Sequence, residues 1–243
     1  MRSGRLFRVS TGDVFLKHDP HAHPDFFRAE AAGLAWLAEA SPSAGTAREF
    51  GAVLARMHDA GAAGFGAAPD HYDGQLFIGR RPMSRTVHAT WGSFYIAERV
   101  LPFLRIAVDA GSVTDRQCRD IEAACDLVAA GAFDDDDPPS RLHGDLWNGN
   151  VLWSPRGVVL IDPAAHGGHR ETDLAMLALF GCPHLGRVVD GYESAHPLRA
   201  GWEHRVPVHQ LHPLAVHAAG YGAGYGRELH RAALATLELG GST

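Results

Sequence analysis

One stretch of the chain, Leu142–Trp153, reads LHGDLWNGNVLW, and Val158–Asp162 follows it as VVLID after the four residues SPRG. Two apolar runs are thus separated by a segment with Pro at its second position and Gly at its fourth, which suits a type I turn. The pattern predicts a β-hairpin. Asn150 precedes the first strand and Asp162 follows the second, so we expect both side chains at the open end of the hairpin.

A second carboxylate, Asp145, lies five positions before Asn150 on the loop that leads into this hairpin. Phosphoryl transfer from a nucleotide needs one carboxylate at the acceptor hydroxyl, and an amide oxygen and another carboxylate that hold Mg²⁺. An Asp-x-x-x-x-Asn spacing with an Asp after a hairpin is that of the kinase catalytic loop. The alternative is a polar loop with Asp and Asn as turn residues, but the complete ordered set favours a kinase.

The same stretch, with LIDPA at Leu160–Ala164 and GHRETDLAM at Gly168–Met176, resembles the fructosamine (ketosamine) kinase family over residues 141–181. The resemblance implies an α+β fold of the protein-kinase-like, aminoglycoside phosphotransferase-like type. We therefore expect two lobes with the active site between them. Residues 1–47 would form a reduced, β-rich N-lobe on the nucleotide side, and residues 48–243 a mostly helical C-lobe with the catalytic loop and the substrate site.

The resemblance also implies roles for individual residues. Asp145 would accept the proton of a sugar hydroxyl, and Asn150 and Asp162 would hold Mg²⁺ on ATP. Lys17, the only lysine of the chain, is similar to the kinase strand lysine that contacts the α- and β-phosphates. Glu30 is the expected partner of Lys17. For both residues, a solvated surface charge is the alternative interpretation.

Five further residues are expected on the substrate side: His143, Trp147, His169, Arg170 and Asp173. Trp147 either stacks on the sugar or amine, or is a core aromatic under the loop. For Arg170 and Asp173, a structural role is preferred to direct catalysis: as a helix cap and an ion pair, they would brace the catalytic loop. Asp173 lies near the start of a predicted helix, where the helix dipole favours a carboxylate.

The N-terminal part is predicted to contain a hairpin, with strands near 6–9 and 14–17, and then a helix over Asp25–Glu39. The family normally has a glycine-containing nucleotide loop and a strand before this hairpin, and two strands and an adenine-binding hinge after the helix. Here Ser41–Ala47 leads straight into the next helix. We therefore expect an N-lobe shortened at both points, which puts ATP binding in question.

Helical periodicity predicts the remaining elements. The expected helices are Arg48–His58, one beginning near Trp91 with core aromatics, Thr114–Ala130, Glu171–Phe180, Val206–Gly222 and Glu228–Leu239. A loop is predicted over Asp70–Arg85, and a solvated surface loop at the acidic run Asp134–Asp137.

Composition excludes several classes of protein. The net charge of −6 argues against a non-specific nucleic-acid binder, which would carry a basic surface, and no apolar run approaches membrane-spanning length. Three cysteines without a Cys-x-x-Cys pair favour reduced thiols and a cytoplasmic location. The histidine pairs 166/169 and 209/212 have chelating spacings, but no third ligand is indicated, so a metal–histidine site is disfavoured.

The leading hypothesis is an ATP-dependent kinase that phosphorylates a sugar hydroxyl of a ketosamine, free or bound to protein. The resemblance implies that the phosphorylated adduct then decomposes, which amounts to deglycation. An aminoglycoside- or choline-type kinase shares the His-Gly-Asp and Ile-Asp elements and remains an alternative. A third hypothesis is a binding protein that has lost catalysis, because the N-lobe is short.

Overall fold

The computed structural model describes residues 5–9, 14–18, 21–40, 46–154 and 157–241, and the side chains of residues 21–37, 46–153 and 157–241. Within these ranges, eight short strands form four separate antiparallel pairs. The pairs are β1 Arg5–Val9 with β2 Val14–His18, β3 Leu76–Ile78 with β4 Arg81–Met83, β5 Ser140–Leu142 with β8 His166–Gly168, and β6 Val151–Ser154 with β7 Gly157–Leu160.

Helices make up most of the rest of the described chain. They are α1 Phe26–Ala40, α2 Ala47–Asp59, α3 Trp91–Phe94, α4 Leu101–Asp109, α5 Asp115–Ala129, α6 Glu171–Leu179, α7 Leu185–Ala195, α8 Trp202–Tyr221 and α9 Ala223–Gly240. A π-helical segment, Tyr95–Val100, joins α3 to α4, and a 3₁₀ turn, Asn148–Asn150, precedes β6. Small antiparallel pairs with a mainly helical C-terminal part confirm the predicted α+β class.

The hairpin predicted in the middle of the chain is present as β6 and β7. Val151 pairs with Leu160, and the Ile161 N–H donates to the Asn150 carbonyl at 3.1 Å. Asn150 and Asp162 therefore lie at the same end of the hairpin, as the sequence predicted. The proposed type I turn involves residues 155 and 156, which lie outside the described residues.

The N-terminal part has the predicted order of hairpin, helix and helix. Helix α1 ends at Ala40 and α2 begins at Ala47, so no strand of the described chain lies between them. The expected short link between these helices is therefore confirmed. The lobe boundary near residue 47 stays a prediction, and Trp36 and Leu37 of α1 pack in one apolar cluster with α2, α6 and α7.

Gly33 allows α1 to approach the chain that follows the central hairpin. A Cβ at this position would lie 3.1 Å from the Cβ of Ala165 and 3.2 Å from the Cγ of Pro163. Contacts this short leave no room for a larger side chain in a close-packed interior. Gly33 lies three positions after Glu30, on a neighbouring part of the same helix face. The contact therefore brings that face of α1 to the segment that begins at Asp162.

Two apolar clusters hold the helices together. The larger cluster joins α3, α4, α5, α8 and α9 around residues such as Phe94, Tyr95 and Val100. The second cluster joins α2, α6, α7 and the end of α1, and it includes Leu146 and Val151. Because Leu146 is fully buried, the loop before the central hairpin is anchored in the helical part. None of the described helices is both long and apolar enough to cross a bilayer.

Two loop predictions are wrong. The segment Asp70–Arg85 contains β3 and β4, each of which is too short to show the alternation that marks a strand in sequence. The acidic run is not simply a solvated loop. The Gly92 N–H donates to Asp134 at 2.7 Å, Asp135 contacts the buried side chain of His169, and Asp137 forms an ion pair with the buried Arg170.

Candidate active site

Gly144 shapes the loop between β5 and the 3₁₀ turn. Its φ is 80°, a conformation that strongly favours glycine. A Cβ there would collide with the carbonyl oxygen of Ala164 and lie 2.9 Å from the Nδ1 atom of His166. The Ala164 N–H also donates to the carbonyl of His143 at 2.9 Å. The glycine of His-Gly-Asp therefore permits a close crossing between this loop and the segment after Asp162.

Asp145 and Asn150 face each other across the loop. The Asn150 Nδ2 donates to the backbone carbonyl of Asp145 at 2.8 Å and lies 3.3 Å from its Oδ2. Burial raises the pKa of Asp145 to about 7, against the opposing effect of the Asn150 hydrogen bond. A carboxylate that titrates near neutrality is suited to accept a proton from a hydroxyl group at physiological pH.

Asp162 follows β7 in an unusual conformation. Its φ is 53°, a region that residues with a side chain rarely occupy and that is often found at functional sites. The Asn150 amide nitrogen is committed to Asp145, so the amide oxygen is the atom left to bind a cation. Amide and carboxylate oxygens at one hairpin end form the donor set that Mg²⁺ prefers. These residues therefore fit the predicted metal ion.

The backbone of the loop is held by Asp173, near the start of α6. Its Oδ2 accepts the His143 N–H at 2.8 Å, and its Oδ1 accepts the Gly144 N–H at 3.0 Å. Burial acts to raise the pKa of Asp173, but the hydrogen bonds from His58 and from the Gly144 N–H lower it. The buried carboxylate is therefore ionised, and both of its oxygens bind the protein itself.

A chain of buried polar groups extends behind Asp173. The Nε2 of His58 lies 3.2 Å from Asp173 Oδ2, and its Nδ1 lies 2.7 Å from the Tyr192 hydroxyl. Burial lowers the pKa of His58. A neutral ring with its proton on Nε2 donates a hydrogen bond to Asp173, and its Nδ1 accepts a hydrogen bond from the Tyr192 hydroxyl. That hydroxyl in turn accepts a hydrogen bond from Arg170 at 3.2 Å.

Sequence reasoning did not find the contributions of His58 and Tyr192. His58 is 115 positions from Asp173 and 134 positions from Tyr192, so no local motif joins these residues. The one signal in the sequence was the position of His58 and Tyr192 on the apolar faces of two amphipathic helices. A histidine or tyrosine at such a position is usually a core residue, so the signal does not indicate a functional role.

His143 is fully buried, and both of its ring nitrogens have partners. Its Nε2 donates to the Ile161 carbonyl at 3.0 Å, and its Nδ1 accepts the Asp145 N–H at 3.3 Å. Burial lowers the pKa of this imidazole. The side chain thus connects the residue before Asp162 to Asp145. This is a bracing position, and a contact with substrate stays a prediction.

His169 and Arg170 contact the acidic run. The Nε2 of His169 lies 3.3 Å from Asp135, and the Nε of Arg170 lies 3.0 Å from Asp137. Arg170 also binds Asp59 at 2.9 Å. Both residues are buried, so these contacts fix the turn that leads to Asp173. Their predicted contact with substrate is not tested by this geometry.

The histidine pairs with chelating spacing do not form chelates. His166 bonds to the Ala164 carbonyl and His212 to the Arg99 carbonyl. His169 and His209 instead lie close to Glu171. Each of the three residues offers one atom that could bind a metal ion, and these three atoms lie within 4.8 Å of one another. A third donor is therefore present, contrary to the sequence analysis. Arg205 binds both oxygens of Glu171, at 2.6 and 3.0 Å, so this group is an ion-pair network with its charges satisfied.

Trp147 lies two positions after Asp145 and is 38% exposed. The indole is therefore only partly covered by the protein, and its stacking on a sugar or amine stays a prediction. Its ring centroid lies 5.9 Å from that of Phe180, and the indole covers Gly149, where a Cβ would collide with the ring. An exposed indole two positions from Asp145 can offer a face to a sugar or amine.

The residues predicted on the nucleotide side are only partly described. Lys17 lies on β2 opposite Leu6, but its side chain is outside the described side chains. Its pairing with Glu30, a half-buried residue of α1, therefore stays a prediction. The structure does bring together Asp145, Asn150 and the hairpin end from which Asp162 extends.

Known proteins with similar sequences are kinases by name. A protein named "Probable ketoamine kinase" from Enterococcus faecium is 30% identical, and the alignment covers 93% of this chain and 93% of that protein. A protein of the same name from Thermus thermophilus is 32% identical, with 94% and 88% covered. The Enterococcus faecium alignment spans 264 positions against 243 residues here, so that relative has segments without a counterpart in this chain.

Solved structures give the same result. A crystal structure from Thermobifida fusca, named for a candidate fructosamine-3-kinase, has a TM-score of 0.83 at 46% identity and covers 92% of this chain and 84% of that one. A second, from Haemophilus somnus, shares the fold at 21% identity with a TM-score of 0.73. The two-lobe, kinase-like fold class is therefore confirmed.

The sequence model of the family described as fructosamine kinase matches residues 40–238, which include the whole catalytic loop. This chain belongs to the fructosamine kinase family, and it is a phosphotransferase.

Proposed function

We propose that this protein transfers the γ-phosphoryl group of ATP to a sugar hydroxyl of a ketosamine. The observation that carries the proposal is the 3.3 Å approach of the Asn150 amide to the Asp145 carboxylate, at the hairpin end from which Asp162 extends. This approach supports the proposal because phosphoryl transfer requires a base close to oxygen ligands for a metal ion, and Asp145, Asn150 and Asp162 would supply them. The names of the relatives, ketoamine kinase and fructosamine-3-kinase, supply the substrate class.

In the proposed reaction, Asp145 accepts the hydroxyl proton as the sugar oxygen forms a bond to the γ-phosphorus. The bond from that phosphorus to the bridging oxygen breaks, and ADP leaves. A pKa of about 7, raised by burial, lets Asp145 take up this proton and later release it. Asn150 and Asp162 would hold Mg²⁺, which neutralises charge on the phosphates when it is bound.

On the nucleotide side, Lys17 would contact the phosphates, and Glu30 would orient its ammonium group. The contact of Gly33 with Pro163 and Ala165 supports a position of this helix face close to Asp162. The lobes would divide near residue 47, into 1–47 and 48–243. Helix α1 leads almost directly into α2, so the described chain has no strand between them that could lead to an adenine-binding hinge. We therefore expect a KM for ATP near or above the upper end of the usual range, about 1 mM.

Around the substrate, Trp147 would stack on the sugar. His143, Arg170 and Asp173 would act mainly by positioning the catalytic loop, because their described polar contacts are with protein groups. His169 would support the same turn through Asp135.

The test is ADP release by the purified protein with Mg²⁺-ATP and the fructosyl derivative of ethanolamine. Asp145→Asn is expected to lower kcat by about 10²–10⁴-fold, the usual contribution of a general base. Asp136→Asn, in the exposed part of the acidic run, is the matched control and should retain activity. Circular dichroism verifies that all three proteins are folded.

Two results would overturn the proposal. One is unchanged turnover in Asp145→Asn. The other is a folded wild-type protein that releases no ADP with the ketosamine at several millimolar ATP. In that case, calorimetry with ATP and assays with choline or an aminoglycoside as acceptor separate a missing nucleotide site from a different acceptor.

A further inference from the structure

A row of aromatic rings leads away from the catalytic loop. We call it the aromatic platform, and its members are Trp147, Phe180, His217, Tyr221 and Tyr225. Successive ring centroids are 5.9 Å apart from Trp147 to Phe180 and 4.7 Å apart from Phe180 to His217. From His217 the distances are 5.5 Å to Tyr221 and 4.9 Å to Tyr225. These spacings are those of interacting aromatic side chains, so the five rings form one continuous surface.

The two ends of this surface are open to solvent. Trp147 is 38% exposed and Tyr221 is 72% exposed, whereas the rings between them are half-buried. Both ends are among the large hydrophobic side chains that are exposed in the described part of the chain. Exposed aromatic rings that adjoin one another beside an active site are typical of a ligand-binding surface.

The fold holds the platform in place. Tyr221 ends α8 and Tyr225 lies in the first turn of α9, and Gly222, with a φ of 91°, makes the corner between them. Phe180 directly follows α6, the helix whose first turn carries Asp173. Phe180 and Asp173, which braces the catalytic loop, thus lie at opposite ends of the same helix.

The histidine of the platform, His217, is neutral, so it adds no positive charge to the row of rings. The Nδ1 of His217 donates to the Pro213 carbonyl at 2.7 Å, and burial lowers the pKa of this ring. The imidazole is therefore neutral near pH 7. Neutral aromatic faces attract organic cations by cation–π interaction and pack against other rings.

We propose that the aromatic platform binds the amine component of the ketosamine, with preference for amines that carry an aromatic ring close to the nitrogen. This inference rests on the proposed function, in which the sugar lies between Asp145 and Trp147. The ketosamine nitrogen is one carbon from the sugar carbonyl and is protonated near neutral pH, so it would lie over Trp147 or Phe180.

The reach of such a substrate matches the spacing of the rings. A two-carbon linker places an aryl ring roughly 5 Å from the nitrogen, at ~1.5 Å per bond. The neighbouring rings from Phe180 to Tyr221 are 4.7 and 5.5 Å apart. An aryl group would therefore pack against His217 and Tyr221 when the nitrogen lies near Phe180, whereas a short polar amine would leave these rings in water.

The test compares two ketosamines that share the sugar, fructosyl-phenethylamine and fructosyl-ethanolamine. For the wild type, we expect a KM about tenfold lower for the phenethyl compound at similar kcat, because both compounds share the charged nitrogen and only the phenethyl compound has an aryl group that packs against the rings. Tyr221→Ala should bring the ratio of the two KM values close to one, and Phe180→Leu should act in the same direction. Leu234→Ala is the matched control, since Leu234 is also exposed on α9 and is outside the platform. It should leave the ratio unchanged.

The outcomes separate this inference from the kinase proposal. Equal KM values in the wild type, or a preference that survives Tyr221→Ala, would overturn the platform while the kinase assignment stands. Absence of turnover with both compounds would instead count against the kinase proposal. The platform is then judged by calorimetric titration with fructosyl-phenethylamine, where weaker binding to Tyr221→Ala supports it and equal binding overturns it.

Discussion

The carboxylate of Asp173 accepts the backbone N–H of Gly144 at 3.0 Å, although 29 positions separate the two residues. Gly144 directly precedes Asp145, so the position of Asp145, the proposed base, is fixed from the first turn of α6. The same carboxylate is bound from behind by His58. The geometry of the base therefore depends on how α2 and α6 pack, and not only on the loop.

Replacement of Asp173 by Asn should impair both stability and catalysis. An amide has only one oxygen for the N–H groups of His143 and Gly144, and its NH₂ group would face one of these donors. Leaving a buried donor unpaired, and replacing the charged acceptor of the His58 hydrogen bond by a neutral one, should lower the free energy of unfolding by about 2–4 kcal/mol. We expect kcat to fall by roughly tenfold or more, because a small displacement of a base has a large effect.

Urea denaturation and steady-state kinetics measure the two effects of Asp173→Asn. Asp190→Asn, an exposed position on α7, is the control for the loss of one negative charge. Wild-type kcat in a correctly folded Asp173→Asn protein would contradict the bracing role.

Removal of the Tyr192 hydroxyl tests the outer end of the same chain. In Tyr192→Phe, the Nδ1 of His58 loses its donor and Arg170 loses one acceptor. We expect the free energy of unfolding to fall by about 1–3 kcal/mol, the usual penalty for a buried group left without its partner. Chemical denaturation of Tyr221→Phe, which removes an exposed hydroxyl, is the comparison and should show a change within about 0.5 kcal/mol. Equal stability of the two variants would show that the contact is not needed.

The parts of the site that could be predicted from sequence lie close together along the chain. Asp145, Asn150 and Asp162 belong to one loop and one hairpin, and local rules fix their relative positions. The main helices were also predictable, since Phe50, Leu54 and Met57 of α2 recur at helical spacing and are all buried.

The parts that could not be predicted depend on tertiary contacts. Four consecutive aspartates indicate a solvated loop, yet Asp135 and Asp137 meet His169 and Arg170, which come from a distant part of the sequence. Spacing alone also does not show which histidines meet in the folded protein. His166 lies on β8 and His169 in the turn after it, so their side chains reach different neighbours, and His169 meets His209 from α8 instead.

The activity should depend on pH through Asp145. Burial raises its pKa to about 7, and the base must be ionised to accept a proton. We therefore expect kcat/KM for the ketosamine to rise with pH up to about 7 and to level off above it, with a slope near tenfold per pH unit on the acid side. A flat profile of kcat/KM between about pH 5.5 and 8 would contradict this assignment.

The raised pKa of Asp145 also predicts how the Asn variant differs in stability. The pKa in the folded protein is about 7, against an ordinary value of 3.8. Between these values the folded protein keeps a proton that the unfolded chain has lost, so the free energy of unfolding decreases as pH rises through this window. An asparagine at position 145 does not titrate, so the variant does not bury a charged side chain at any pH.

Asp145→Asn should therefore be more thermally stable than the wild type at about pH 8, and this difference should become smaller at about pH 5. Melting curves without nucleotide at the two pH values measure it, and Asp136→Asn, which removes an exposed aspartate, should show no comparable pH-dependent gain. A variant that is less stable than the wild type at pH 8 would mean that Asp145 stabilises the fold. A gain that grows with pH would mean that the base is held in its buried position at the expense of stability, as is common for catalytic groups.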